Sequence, residues 1–147
     1  MTASTSTSND ADTTPGLSAF KPRISHVAYY VSDIERSLAF YIGALGLKEQ
    51  LRLPLGKGLH EVVLGYPDNK GAGLILMWNT DKTTPYQLGD GYSRFVVSVS
   101  DVDAALRFLV EKDVKVVQNA TQAGALKYAM VKDPDGYVVE LLQLMRS

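Results

Sequence analysis

The chain contains no cysteine. That removes thiol nucleophiles, disulfides and Cys-ligated zinc together. A charge imbalance is missing too: 15 Lys and Arg stand against 16 Asp and Glu, for a formal net charge of −1. Nucleic acid or an anionic membrane surface would draw on a basic excess that is not there, so neither is expected as a partner. Long apolar runs are also absent, and none approaches the ~20 residues needed to cross a bilayer. The first twenty residues, MTASTSTSNDADTTPGLSAF, have neither a basic region nor an apolar core. They do not read as a secretory or organellar signal, and the expectation is a cytoplasmic protein. Their Ser, Thr and Asp content reads as a disordered tail over 1–20, followed by one domain over 21–147.

What the chain does have is 147 residues, 46% of them hydrophobic and 21% charged. That suits one globular domain or two small fused halves. Two halves are visible. The stretch HVAYYVSDIERSLAFY (26–41) matches RFVVSVSDVDAALRFL (94–109), with Val31-Ser32-Asp33 falling on Val99-Ser100-Asp101. Each begins as a β-rich run and becomes helix-periodic. Ser32-x-x-Glu35 has capping-box spacing, and Ser100-x-x-Asp103 a weaker version of it. Ile34, Leu38, Ile42 and Leu45 form one helical stripe, ending at Gly46; Val102, Ala105, Leu106 and Leu109 form the other.

After each helix come three strand-like runs, at 47–53, 59–66 and 73–79, then at 114–118, 126–132 and 137–144. YPDNKG and DPDG supply turns before the last strand of each set. The predicted architecture is α+β: two tandem βαβββ modules, 21–80 and 90–147, forming a curved sheet cup with helices outside. The Thr-, Pro- and Gly-containing segment 79–91 reads as a linker between them.

One stretch resists a purely structural account. In DPDGYVVELLQL (133–144), strand alternation puts Glu140 on one face with Val138 and Leu142. A buried carboxylate without a partner costs several kcal/mol, so a cation, a metal or a transferable proton should explain it. The same alternation assigns His26, Ala28 and Tyr30 to the cup face of the first strand, and Ile75, Met77 and Asn79 to the last strand of the first half. Arg94, Val96 and Ser98 follow in the second half. By the repeat, His26 corresponds to Arg94 and Ile75 to Glu140. Tyr30, Ile75 and Met77 would make an apolar, substrate-binding wall, while Trp78 packs under a helix. His60 and Glu61 share a strand run whose alternation leaves only one facing the cup. Lys57, between two glycines, reads as a hairpin tip.

ISHVAYYVSDIERSLAFYIGALGLK resembles the opening of the vicinal-oxygen-chelate superfamily, and DPDGYVVELLQ is similar to its closing hairpin and strand. The likeness spans about 21–144 and is nearest to glyoxalase I and its relatives. It implies a cup that binds a small-molecule substrate, often completed by a second subunit in a homodimer. It also implies a divalent metal (Zn, Ni, Mn or Fe) held by one residue from each of four strands. Carried onto this chain, the first and last ligand positions are His26 and Glu140. The other two are Ile75, which has no donor atom, and Arg94, whose guanidinium stays protonated. No other cofactor is implied. Positions that hold glutathione-binding arginines in the eukaryotic glyoxalase pattern carry Gly43 and Asp90, which counts against a glutathione hemithioacetal.

The expected function is a glyoxalase-like isomerase, epimerase or lyase that abstracts a proton from a small carbonyl or carboxylate compound. Glu140 would be the base, His26 an acid or metal ligand, and Arg94 the anion holder. Two alternatives stand beside it. In one, Arg94 merely neutralises Glu140 and the protein sequesters a ligand, as in the bleomycin-resistance branch. In the other, a metal sits on His26, Glu140 and a further donor such as His60, Glu61 or Asn79.

Overall fold

A computed structural model describes residues 16–146. Residues 1–15 of the expected tail lie outside the described residues. The rest of that tail is not featureless: Leu17–Phe20 makes one exposed 3-10 turn. The first half then runs β1 (His26–Tyr30), α1 (Ile34–Leu38), β2 (Lys48–Gly56), β3 (Leu59–Gly65) and β4 (Gly73–Asn79). The second half repeats the order as β5 (Phe95–Ser98), α2 (Val102–Glu111), β6 (Lys115–Ala123), β7 (Leu126–Lys132) and β8 (Val138–Leu144). Strands β2 and β6 extend past their expected ends at 53 and 118. Each half forms its own four-stranded sheet, in the orders β1-β4-β3-β2 and β5-β8-β7-β6. The α+β fold of two tandem βαβββ modules is therefore present.

Two local details correct the sequence reading. The helices are capped not by Ser32 and Ser100 but by the residues after them. Asp33 accepts from the Arg36 N–H and Asp101 from the Ala104 N–H. Adjacent Ser and Asp are both good caps, and tertiary contact settles the choice. Ser32 turns instead to Asp135, which accepts from its N–H and hydroxyl. Secondly, α1 widens into a π-helical turn over Ala39–Ala44, with the Leu45 N–H bonding to the Phe40 carbonyl. Consecutive Phe40 and Tyr41 are both buried there. Gly46, at φ 81°, ends the turn, and the Leu47 N–H closes back onto the Tyr41 carbonyl.

The core lies between the helices and one face of each sheet. Val62, Leu64, Leu74 and Leu76 from the first half join Val131, Val139 and Leu141 from the second in a single cluster. Alternation sends the neighbours of these residues to the opposite face. Pairs Ala28↔Ile75, Tyr30↔Met77 and Glu61↔Met77 lie on that face in the first sheet, and Val96↔Glu140 and Met130↔Glu140 in the second. This is the predicted cup face. It is well supplied with exposed apolar groups, including Tyr30, Leu51, Leu53, Val96 and Leu144.

Candidate active site

Glu140 sits mid-strand on β8, paired on either side with Val96 of β5 and Met130 of β7. Its residue exposure is 7%. Arg94 precedes β5, two residues before Val96, and so reaches along the same face. Its Nε donates to Glu140 Oε1, forming an ion pair, while Nη1 donates to Ser93 Oγ at 3.1 Å. The buried carboxylate thus has a permanent counter-ion, since a guanidinium does not deprotonate in a protein. That pair answers why a carboxylate tolerates an apolar strand.

His26 opens β1, opposite Gly73 of β4, and is solvent-exposed. Its ring lies over the Gly73 backbone: a Cβ added at Gly73 would come within 2.9 Å of His26 Cδ2 and 2.5 Å of the Leu64 carbonyl oxygen. Arg23, Gln50 and Asn69 line the same cavity, of about 460 Å³. Among the described residues no hydrogen bond or ion pair joins His26 to Arg94 or Glu140. The topology explains this. Tyr137, just before β8, donates its hydroxyl to the Tyr30 carbonyl at 2.7 Å. Tyr92, just before Arg94, donates to the Val138 carbonyl at 2.6 Å. The Arg94 end of the second sheet therefore meets the Tyr30 end of β1, and strand rise places His26 about 13 Å further along β1. The structure brings Arg94 and Glu140 together and leaves His26 at the other end of its strand.

A Gly73→Ala substitution should therefore displace the His26 ring and destabilise the fold by about 1–3 kcal/mol. Chemical denaturation measures the second effect, and the imidazole NMR shifts the first. Unmoved His26 resonances would show that the ring does not rest on this strand.

Of the remaining predicted groups, Ile75 and Met77 are half-buried on the cup face. Tyr30 stacks on Tyr86 of the linker, with centroids 5.3 Å apart, and Lys82 Nζ covers the Tyr86 ring at 4.6 Å. Register puts Glu61 on the cup face with Met77, and His60 on the other, where it stacks on Trp78 at 4.9 Å. Lys57, at φ 55°, occupies the β2–β3 hairpin tip.

Sequence reasoning missed a buried polar junction between the halves. Tyr41 is fully buried and donates to Asp133 Oδ2 at 2.7 Å. Asp133 Oδ1 accepts from the Asp135 and Tyr137 N–H groups at 2.9 and 2.8 Å. Tyr29 and Tyr137 pack beside them, with centroids 4.6 Å apart. Burial raises the Asp133 pKa above the ordinary carboxylate range, more than the hydrogen bonds from Tyr41, Tyr137 and Asp135 lower it. Burial, with the nearby Asp133 charge, likewise pushes Tyr137 up to about 12. The sequence signals for it were an aromatic pair, Phe40-Tyr41, off the stripe of the first helix and an Asp in the DPDG turn.

That shift has a testable sign. A carboxyl whose folded pKa is raised stabilises most below its unfolded value of about 3.9 and loses that contribution as pH rises through the folded value. Wild type should therefore lose stability relative to Asp133→Asn as pH climbs from about 4 toward neutrality. Urea denaturation across that range measures it, and a pH-independent difference would contradict the raised value.

The donor set does not fit a divalent ion held by three or four protein ligands. Ile75 has no lone pair to offer, and the third ligand position holds Arg94, whose charge is already committed to Glu140. Only His26 and Glu140 are donors at the positions in question.

The sequence profile of the Glyoxalase/Bleomycin resistance protein/Dioxygenase superfamily matches residues 23–141. The chain belongs to that superfamily. A probable lactoylglutathione lyase of Vibrio parahaemolyticus is 32% identical over 126 residues, which cover 82% of this chain and 90% of that one. A lactoylglutathione lyase of Neisseria meningitidis is 31% identical over 124 residues, covering 82% and 90%. Among solved structures, the trypanothione-dependent glyoxalase I of Leishmania major superposes with a TM-score of 0.74 at 30% identity, over 84% of this chain and 87% of that one. Glyoxalase I from Zea mays gives 0.76 at 26% identity, over 85% and 46%. The chain is glyoxalase I-like in sequence and in fold. Among the described residues, no helix of this superfamily member is long and apolar enough to cross a membrane.

Proposed function

We propose that this glyoxalase-like chain is a cytoplasmic lyase, with an isomerase-type proton transfer at its centre, and that a homodimer assembles its site. The observation that carries the reading is the buried Glu140 on the cup face, held by Arg94. A carboxylate fixed on a face with Ile75, Met77 and Tyr30 is placed to take a proton from carbon beside a carbonyl. Arg94 orients that base through their ion pair and uses its other N–H groups to hold a developing enolate or a substrate carboxylate. His26 delivers a proton to the neighbouring carbon of the enolate, and exchange with solvent removes the proton taken by Glu140 and restores the one given by His26. The substrate class is a small 2-oxo carbonyl or its thiol adduct, in keeping with the relatives named lactoylglutathione lyase.

One copy leaves His26 at the far end of β1, and exposed Tyr30, Val96, Leu51 and Leu53 line the cup faces. An apolar surface of this kind is covered in most soluble proteins. A second copy related by a two-fold axis would cover it and set the His26 of one chain against Arg94 and Glu140 of the other. Mixing His26→Ala with Glu140→Gln, each inactive alone, and exchanging subunits should restore about one quarter of wild-type activity, because half the dimers then hold one intact site. No recovery in verified mixed dimers would place all three residues in one chain.

A divalent ion, where bound, would have His26 and Glu140 as its protein donors. Metal analysis of the purified protein should then give well under one tightly held ion per chain. The Arg94–Glu140 pair also favours a second reading, a binder of the bleomycin-resistance type in which the pair only neutralises the cup. That protein would bind a ligand with no turnover, and its affinity would survive Glu140→Gln.

A further inference from the structure

Register fixes what the second sheet presents to the cup. Lys115 of β6 pairs with Lys132 of β7, and Lys132 with Val138 of β8. Phe95 pairs with Val139, so Arg94, one residue earlier, extends β5 opposite Val138. Alternation puts Val138 on the face of Glu140. Arg94, Val138, Lys132 and Lys115 therefore form one row across all four strands of that face. The next row is Val96, Glu140, Met130 and Gln118, and beyond it lie Leu142, Tyr128 and Thr121. The first row is the outermost, and its two lysines also edge a cavity of about 820 Å³ behind the rim.

Three of the four residues in that outer row are cations. Lys115 and Lys132 are directly opposed, and like charges in that position repel. Both are exposed, and among the described residues neither amine has a hydrogen-bond or ion-pair partner. No acid of the sheet answers them. Glu140 is the single carboxylate on its four strands, and it is paired with Arg94. Asp133 follows Lys132, alternates to the other face and accepts from Tyr41. Asp135 accepts from Ser32, and Asp113, two residues before β6, forms no ion pair. The cup face thus carries a row of cations that only a bound anion can neutralise, one step from the base.

We propose that Lys132 and Lys115 bind a remote anionic group, carboxylate or phosphate, of a substrate whose reacting carbon lies over Glu140. This rests on the role given to Glu140 above and narrows the substrate to 2-oxo compounds with such a group. Rows on one face are two residues apart, so the group lies within about 7 Å of the reacting carbon. Strands about 4.8 Å apart put Arg94 and Lys132 about 10 Å apart at the backbone. Two long side chains and an anion span that gap, above the half-buried Val138. An anion between the paired lysines turns a repulsive contact into charge-assisted hydrogen bonds. Leu142 and Tyr128, on the opposite side of Glu140, receive the apolar end of the molecule.

The test is calorimetric titration of the full chain at constant ionic strength with matched probes. 2-Oxoglutarate is compared with 2-oxopentanoate, which has a methyl group in place of the distal carboxylate, and dihydroxyacetone phosphate with dihydroxyacetone. At least one probe with the distal charge is expected to saturate and to bind about tenfold or more tightly than its counterpart. In Lys115→Gln/Lys132→Gln, shown to be folded by circular dichroism, that preference should fall to within about threefold. Lys70→Gln/Lys127→Gln removes the same charge elsewhere: Lys70 lies in the β3–β4 loop, and Lys127 alternates to the other face, paired with Asp103. It should keep the preference. Glu140→Gln should keep it too, so a failure of turnover counts against Glu140 as base and leaves the lysine row standing. The proposal is overturned if no charged probe saturates, or if matched probes bind alike. It is equally overturned if the folded Lys115→Gln/Lys132→Gln protein keeps the preference, or if Lys70→Gln/Lys127→Gln loses it to the same extent.

Discussion

Replacing Glu140 with Gln is expected to lower the rate of the proposed proton transfer on a 2-oxo compound or its thiol adduct by about 10²–10⁴-fold. The amide keeps the size of the side chain and removes only its ability to take a proton. Arg94, already 39% exposed at its side chain, can turn its freed donors to water. The stability change should therefore stay within about 1 kcal/mol, in the range of partly exposed ion pairs. The measurements are kcat on the thiol adduct that wild type turns over fastest and the denaturation midpoint of the same preparation. Retained kcat with an intact fold would remove Glu140 from the chemistry and leave the Arg94 pair as a structural feature.

The position of Glu140 was legible because strand alternation is a strict code. Once Val139 and Leu141 are taken as core, Glu140 must face the other way, and the register pairs it with Val96. Ile75, Met77 and Tyr30 follow by the same argument. The capping residues were not legible in the same way. Ser32 and Asp33 are both competent caps, and only the contact from Ser32 to Asp135, across the whole fold, separates them. The relation between His26 and Arg94 was hidden for a different reason. An internal repeat shows that two residues occupy equivalent places in their own halves, and it carries no information about the distance between those places. Here the halves meet at the Tyr30 end of β1, which takes His26 away from its counterpart.

The second large effect is expected at that meeting point. Tyr41→Ala should destabilise the protein by about 3–5 kcal/mol, the usual range for deleting a large buried aromatic. Tyr41 is wholly buried and touches aromatic rings from both halves. Its ring lies edge-on to Phe40 with centroids 4.9 Å apart, and 6.3 Å from Phe95 of the second half. Its loss also leaves Asp133 short of one donor in a buried setting, where an unmet group adds about 1–3 kcal/mol. Since a domain of this kind has about 5–15 kcal/mol in total, the variant should melt far below wild type. Tyr41→Phe isolates the hydroxyl and should cost about 1 kcal/mol. Urea denaturation of the two variants shows whether ring packing or the hydroxyl's hydrogen bond contributes more. A change under about 1 kcal/mol for Tyr41→Ala would mean that the halves are joined elsewhere.

Among the described residues every strand ladder closes within its own half, so the peptide between residues 80 and 94 carries no ladder across the junction. Its length is consequently a cheap variable: doubling a flexible connection adds only about 0.6 kcal/mol of closure entropy. Natural variants that lengthen or trim this connection should leave both sheets undisturbed and alter chiefly the Tyr86 cover over Tyr30. The seam between the two repeats is thus the place where the protein can change the entrance to its cup without remaking its core.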